Sequence, residues 1–242
     1  MGPQADDDAV ETTLRDGTRV LIRMVEPDDK DGFVEGFSRL SPRSRYLRFH
    51  TGLEELSEQQ LAYLTEVDGV DHVAWVALDL DAPDRPGIGV ARFVRLADEP
   101  TVAEAAVTVL DAYQGRGLGT VLLEVLAGAA VRRGVGTFRA YVLGENRTML
   151  RVLESLGPTC TRREHDMHEI DVTLPRADEA SPTSAAGQVF RAVGGRQLPA
   201  MHTTAPPVWL SDGDADGAGR RRLRAWLRQV LDRRADDAEA DD

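Results

Sequence analysis

Among its 242 residues the chain has one cysteine, Cys160, and one lysine, Lys30. A lone thiol cannot form an internal disulfide, so a reducing, cytoplasmic setting is the simple reading. Cys160 has no sequence partner that would activate it, and neither Ser44 nor Ser155 has a histidine at motif spacing, so nothing supports a covalent nucleophile. The single lysine excludes a Walker A loop, which must end in Gly-Lys-Ser/Thr; elsewhere arginine takes lysine's place, which reads as genome composition. Long apolar runs are missing too. None approaches the roughly 20 residues a membrane helix needs, and MGPQADDDAVE is too acidic for a signal peptide. A formal net charge of -12, much of it in the acidic ends, disfavours nucleic acid and favours basic acceptors. His165 and His168 suggest a metal pair only on paper, because residues three apart on a strand face opposite ways; no metal site is expected.

What the chain does have is QGRGLGT at 114–120, set between an apolar strand pattern and a helix pattern. Residues 101–110, TVAEAAVTVL, are short, β-branched at both ends and bounded by Pro100 and Asp111, which predicts a buried strand. Leu118 to Val131 is apolar and closes on Arg132, Arg133 and Gly134, a basic last turn followed by glycine, as helices prefer. Strand, glycine turn, helix is an arrangement that leaves backbone N–H groups unpaired at a helix N-terminus, where the macrodipole also attracts phosphate. Spacing separates the phosphate-binding signatures. A Rossmann fingerprint counted from Gly115 would need Gly or Ala where Thr120 stands. What remains is Gln114-x-x-Gly117-x-Gly119.

That segment resembles the acyl-CoA-binding motif of the GNAT superfamily of N-acetyltransferases, Q/R-x-x-G-x-G/A between a central strand and a helix. Further stretches, LSPRSRYLRF at 40–49, LSEQQLAYLTEVD at 56–68, GENRTML at 144–150 and Leu156-Gly157, are similar to the bacterial branch that acetylates protein lysines. The likeness covers about Thr18 to Leu174. It implies an α/β GNAT fold, a mixed central sheet flanked by helices, with acetyl-CoA as co-substrate. It also implies cofactor-binding roles for Val107 and Val109 on the pantetheine-pairing strand, for Gln114, Gly115, Arg116, Gly117, Leu118, Gly119 and Thr120 in the pyrophosphate loop, and for Asn146 at a helix start. Backbone N–H near Val107 would hold the thioester carbonyl and stabilise charge that develops there. Transfer would be direct, by positioning.

Glu104 matches the branch's glutamate and is the candidate catalytic base. A lysine amine, with an ordinary pKa of about 10.4, must lose a proton before it attacks, and a carboxylate buried on a central strand can accept one. The alternative, a carboxylate facing solvent at a strand edge, is weakened by the small apolar neighbours Ala103, Ala105 and Ala106. Glu124, inside the following helix, reads as a surface residue. The chain departs from the family at Leu153, where many members carry a tyrosine as general acid. Tyr113 and Tyr141 do not match that position, so no general acid is assigned. Arg43, Arg45 and Arg48 read as a solvated helix face, with contact to CoA phosphate or an acidic acceptor as the alternative.

The rest of the pattern predicts strands at 20–25, 73–80, 88–96 and 137–142, and one last strand between Glu164 and Leu174. Helices are predicted at 27–40, from Ser41-Pro42 to Phe49, from a Ser57/Gln60 capping box to about Thr65, and at 146–156. The domain is expected at 16–175, after a disordered 1–15. Past it come a linker at 176–219, an amphipathic helix at 220–234 with Leu223, Trp226, Leu227, Val230 and Leu231 on one stripe, and an acidic tail at 235–242. That helix is expected to pack on its own domain, with docking to a partner or acceptor as the sharper alternative. Three functions follow: a protein lysine acyltransferase, a small-molecule amine acetyltransferase, or an acyl-CoA-binding regulatory module without turnover. The expected partners are acyl-CoA and a protein acceptor, with no nucleic acid and no membrane.

Overall fold

In a computed structural model, which describes residues 9–50, 52–164 and 166–175, the predicted central strand is an eleven-residue element, β5 (Glu99–Val109), in the middle of an eight-stranded sheet. The elements run β1 (Val10–Thr13), β2 (Arg19–Met24), α1 (Lys30–Ser38), α2 (Pro42–Phe49), α3 (Glu58–Thr65), β3 (His72–Asp79), β4 (Gly87–Leu96), β5, α4 (Leu118–Arg132), β6 (Thr137–Leu143), α5 (Arg147–Leu156), β7 (Thr159–Glu164) and β8 (Met167–Thr173). The strand order is β1-β2-β3-β4-β5-β6-β8-β7, antiparallel throughout except for the parallel pair β5 and β6. Helix α4 is the crossover that a parallel pair requires.

Two helical layers cover the sheet. On one face α4 and α5 bury the main core, including Trp75, Phe93, Phe138, Leu122, Leu126 and Leu153. On the other, α1 to α3 lie over β2 to β5, packing Phe33 and Val67 against Val25, Ala74 and Val76. Close approach of α4 to the sheet depends on Gly89, where an added Cβ would meet Leu122 at 3.0 Å and the Thr108 carbonyl at 3.2 Å. Leu122 itself is fully buried, so truncation to Ala there costs about 2–5 kcal/mol.

Helix starts follow the sequence signals. Ser41 accepts a hydrogen bond from the Ser44 N–H, with Pro42 at the first helical position, and Ser57 with Gln60 forms a reciprocal capping box. One expectation needs correction, and one strand was not foreseen. Residues 10–13 are not outside the domain: β1 pairs antiparallel with β2, from Val10 opposite Ile22 to Thr13 opposite Arg19, and Leu14 is in the core. Four residues of VETT are too short for a periodic signal. The strand expected between Glu164 and Leu174 is there as β8, and it forms a hairpin with a strand that the pattern did not predict, β7. Its outer strand, TCTRRE, has exposed Thr159–Arg163 and carries no apolar alternation for pattern to find. Arginines on such an edge discourage pairing with another chain. His165 and the segments 176–219, 220–234 and 235–242 lie outside the described residues.

Candidate functional site: a glycine turn and an open sheet

The glycine turn connects β5 to α4. Gly115 and Gly117 adopt φ of 75° and 93°, left-handed values that favour glycine, and Gly117 is the N-cap of α4. The first bond into the helix runs from Val121 N–H to the Gly117 carbonyl, 3.1 Å. The N–H groups of Leu118, Gly119 and Thr120 therefore have no acceptor within the helix and converge with its positive dipole end. Side chains hold the turn in place. Gln114 donates to the Val109 carbonyl (3.1 Å) and to Ser44 Oγ (3.3 Å). Arg116 is drawn backwards to Asp16 at 2.6 Å and over the Tyr113 ring, so what it offers the turn is its main chain. Asp111, at the turn's entrance, accepts from Ser41 N–H and from the hydroxyls of Ser41 and Ser44. Desolvation raises its carboxyl pKa, but these hydrogen bonds outweigh it and hold the group below the ordinary value.

Next to the turn the sheet opens. Strands β5 and β6 pair only from Val102 opposite Thr137 to Glu104 opposite Arg139. Beyond that point β5 continues to pair with β4 as far as Val109, and β6 with β8 as far as Leu143. Their facing edges diverge, and the β5 main chain from Ala105 to Val109 has no strand partner on that side. Val107 and Val109 pack their side chains into the main core, so their main chain is what borders the opening, where the Val109 carbonyl already accepts from Gln114. Asn146 caps α5 through Oδ1, accepting from Met149 N–H at 3.1 Å. Its Nδ2 makes no hydrogen bond among the described residues.

Glu104 stands at the apex, as the last residue of β5 paired to β6. It is half-buried rather than fully buried. Arg139, its opposite number, is 3 % exposed and holds Asp171 at 2.7 Å and Glu99 at 2.7 Å, which fixes β6 beside it; these charged bonds, Asp171 first, raise the guanidinium pKa above its ordinary value. The register alternates so that Ala103 and Ala105 enter the α4 core and Glu104 lies on the face of α1 to α3. There it interacts electrostatically with Arg48 of α2 and Tyr63 of α3.

Sequence reasoning missed this neighbourhood. Arg92 of β4 is 4 % exposed and donates to the Leu64 carbonyl (3.0 Å), the Tyr63 carbonyl (3.5 Å) and His72 Nε2 (3.2 Å). Because a guanidinium can only donate, Nε2 of His72 accepts. Burial pushes the His72 pKa down to about 3, so the ring is neutral, and burial lowers Arg92 to about 10. Tyr63 stacks on His72 with centroids 4.8 Å apart. The solvated-face reading holds for Arg43, which is exposed, and fails for the other two arginines. Arg45 is a staple, bonded to the carbonyls of Leu40, Ser38 and Glu54, and Arg48 turns inward. Glu124 is corrected as well: it is half-buried, its Oε2 has no partner among the described residues, and desolvation pushes its carboxyl up to about 7.

A family model for the acetyltransferase (GNAT) domain matches residues 19–159. The chain belongs to the GNAT acetyltransferase family. It is 35% identical over 165 residues to the acetyltransferase Pat of Mycolicibacterium smegmatis, an alignment covering 68% of this chain and 49% of that protein. It thus spans about half the length of that relative. It is similar to the GNAT domain of S. lividans PAT, with a TM-score of 0.65 at 29% identity, covering 71% of this chain and 99% of the other. A putative acetyltransferase from Salmonella typhimurium, solved with its cofactor acetyl-CoA, shares the fold at 20% identity, with a TM-score of 0.52 and coverage of 69% and 99%.

In this GNAT domain Leu153 is a core residue, 1 % exposed. The Tyr113 hydroxyl donates to Asp79 at 2.7 Å, a bond that raises its pKa. Among the described residues no group of three or more His, Cys, Asp or Glu is placed to hold a metal, and no helix is long and apolar enough to cross a membrane.

Proposed function

We propose that the protein transfers an acyl group, acetyl in the first instance, from acyl-CoA directly to the side-chain amine of a lysine on a protein acceptor. One observation carries this reading: a single strand, β5, bears both the unpaired main-chain edge and, at the apex of the opening, a carboxylate. The residues fit the donor. Leu118, Gly119 and Thr120 N–H take the diphosphate at the head of α4, and the β5 edge from Ala105 to Val109 pairs with the pantetheine arm. A main-chain N–H near Val107 holds the thioester carbonyl and stabilises negative charge on its oxygen during attack. Asn146 Nδ2 reaches the donor from α5. Glu104 accepts the proton from the incoming ammonium, directly or through one water. The amine nitrogen then bonds to the carbonyl carbon, and as the tetrahedral adduct collapses the carbon–sulfur bond breaks and the nitrogen gives up its second proton to solvent. The thiolate leaves to solvent, since a thiol is acidic enough to depart unprotonated and Leu153 offers no proton. The LSPRSRYLRF segment, similar to the bacterial branch that acetylates protein lysines, supports a protein acceptor.

A second reading, a small-molecule amine as acceptor, is favoured by a cavity of about 110 Å³ beneath α1 and α2, on the face where Glu104 lies. Thiol release from acetyl-CoA, with lysate proteins or a panel of free amines as acceptors, separates the two. Turnover with proteins is expected. Turnover with free amines alone rejects the protein acceptor, and binding without turnover in either case overturns both readings.

A further inference from the structure

The cavity has a polar end whose chemistry neither reading uses. Its walls are apolar, from Phe33, Phe37 and Phe49 on the helical side to Val76, Leu78 and Val90 on the sheet. The space exists because α1 carries Gly32 and Gly36 one turn apart over the sheet, where an added Cβ would meet nothing within 4 Å. At one end lie two guanidinium groups, Arg48 and Arg92.

Arg92 is buried and Arg48 half-buried, and among the described residues neither makes a hydrogen bond to a carboxylate. Among the described residues Arg92 is bonded to two carbonyls and a neutral imidazole and to no carboxylate. Arg48 makes no hydrogen bond among the described residues, resting against the Phe49 ring at 5.1 Å and interacting electrostatically with Glu104 and Tyr63. Asp29 also lines the cavity, but Arg23 already holds both its oxygens, at 2.6 and 2.8 Å. Arg48 and Arg92 bring two positive charges, and Glu104 supplies one negative. A charge taken out of water without a counter-ion is costly, and proteins tolerate it where a ligand brings the opposite charge.

We infer that this cavity is a carboxylate subsite, in which Arg48 and Arg92 receive the carboxylate of a substrate whose short apolar portion fills the space beneath α1. The inference rests on the acyltransferase reading for which substrate brings that group. One source is an acyl chain ending in a second carboxylate, entering past the small side chain of Ala106, which lies between Glu104 and Thr108 on this face. The other is an amine bearing its own carboxylate, as an amino acid does, with the amine directed at Glu104. Guanidinium groups suit either, because their paired N–H donors match carboxylate oxygens.

The test uses butyrate and its neutral isostere butyramide, titrated calorimetrically into the full chain. Butyrate is expected to bind at least about tenfold tighter than butyramide, the return of a charge-assisted hydrogen bond over a neutral one. Arg48→Met is expected to abolish that preference and Arg48→Lys to restore part of it, with circular dichroism confirming that both fold. Equal affinity for the two probes, or a preference unchanged in Arg48→Met, overturns the subsite. Neither result requires turnover, so failure of the acyltransferase reading shows separately, as absent thiol release. Where thiol is released, butyrate competing with acetyl-CoA assigns the carboxylate to the acyl chain, and competing with the amine assigns it to the acceptor. Competition with neither removes the pocket from the substrate path.

Discussion

The glycine turn and the guanidinium pocket flank the same strand, yet they are built by opposite means. The turn works through its main chain: consecutive residues, two left-handed glycines and a helix end supply donors whatever the remaining side chains are. The pocket works through side chains gathered from distant elements, the guanidinium groups of Arg48 on α2 and Arg92 on β4 with apolar walls from α1, whose positions depend on the whole domain being folded. One is suited to a constant feature of a donor, its diphosphate. The other is suited to the part of a substrate that varies. On the reading proposed here, the difference separates affinity for the donor from the choice of what is transferred or modified.

Glu104→Gln breaks the comparison most strongly. The rate of thiol release at saturating acetyl-CoA is expected to fall about 10²–10⁴-fold, the range for loss of a general base, while calorimetric affinity for coenzyme A stays unchanged. An unaltered rate would remove Glu104 from catalysis. Gly117→Val should do the reverse. Placing a β-branched residue at φ 93° costs about 1–3 kcal/mol, and coenzyme A affinity should weaken by roughly tenfold or more, with kcat at saturation largely kept. Affinity equal to wild type would separate the turn from the diphosphate.

Glu124 sharpens the picture within the turn's own helix. Its carboxyl titrates at about 7 in the folded chain against an ordinary 4.5, so the folded state holds the proton more tightly. Stability is therefore fully present below about pH 4.5 and is lost as pH rises to about 7. Glu124→Gln should be no more stable than wild type at pH 4 and, allowing for partial solvent access, about 2 kcal/mol more stable at pH 8, read from chemical denaturation at both values. A constant difference between the two pH values would show that the group is not desolvated. The smallest effect is expected at Asn146→Ala: loss of the α5 cap costs about 1 kcal/mol in thermal or chemical unfolding. A larger rise in the KM for acetyl-CoA than in that of a neighbouring surface variant would show Nδ2 at work on the donor.

The same contrast explains what was legible in the sequence. The strand, turn and helix from 101 to 132 could be read because their signals are local: β-branched residues, glycine spacing, an apolar run and a basic end. The caps at Ser41 and Ser57 were readable for the same reason. β1 and β7 were not, being short or exposed on both faces. Arg48 looked like its neighbours Arg43 and Arg45, since nothing in PRSRYLRF says which arginine turns inward. Arg92 did leave a trace. It falls between Val90 and Val94 at the same parity of β4, a charge where the alternation calls for an apolar residue. Its partners Tyr63, Leu64 and His72 come from elements 20 to 29 residues away, and only the fold brings them together.

A crystal structure of the full chain with coenzyme A tests the central claim most directly. The diphosphate should lie against the N–H groups of Leu118, Gly119 and Thr120, with the pantetheine arm along Ala105–Val109 and its sulfur near Glu104. A diphosphate bound elsewhere, or an arm that leaves the gap between β5 and β6 empty, would contradict the account.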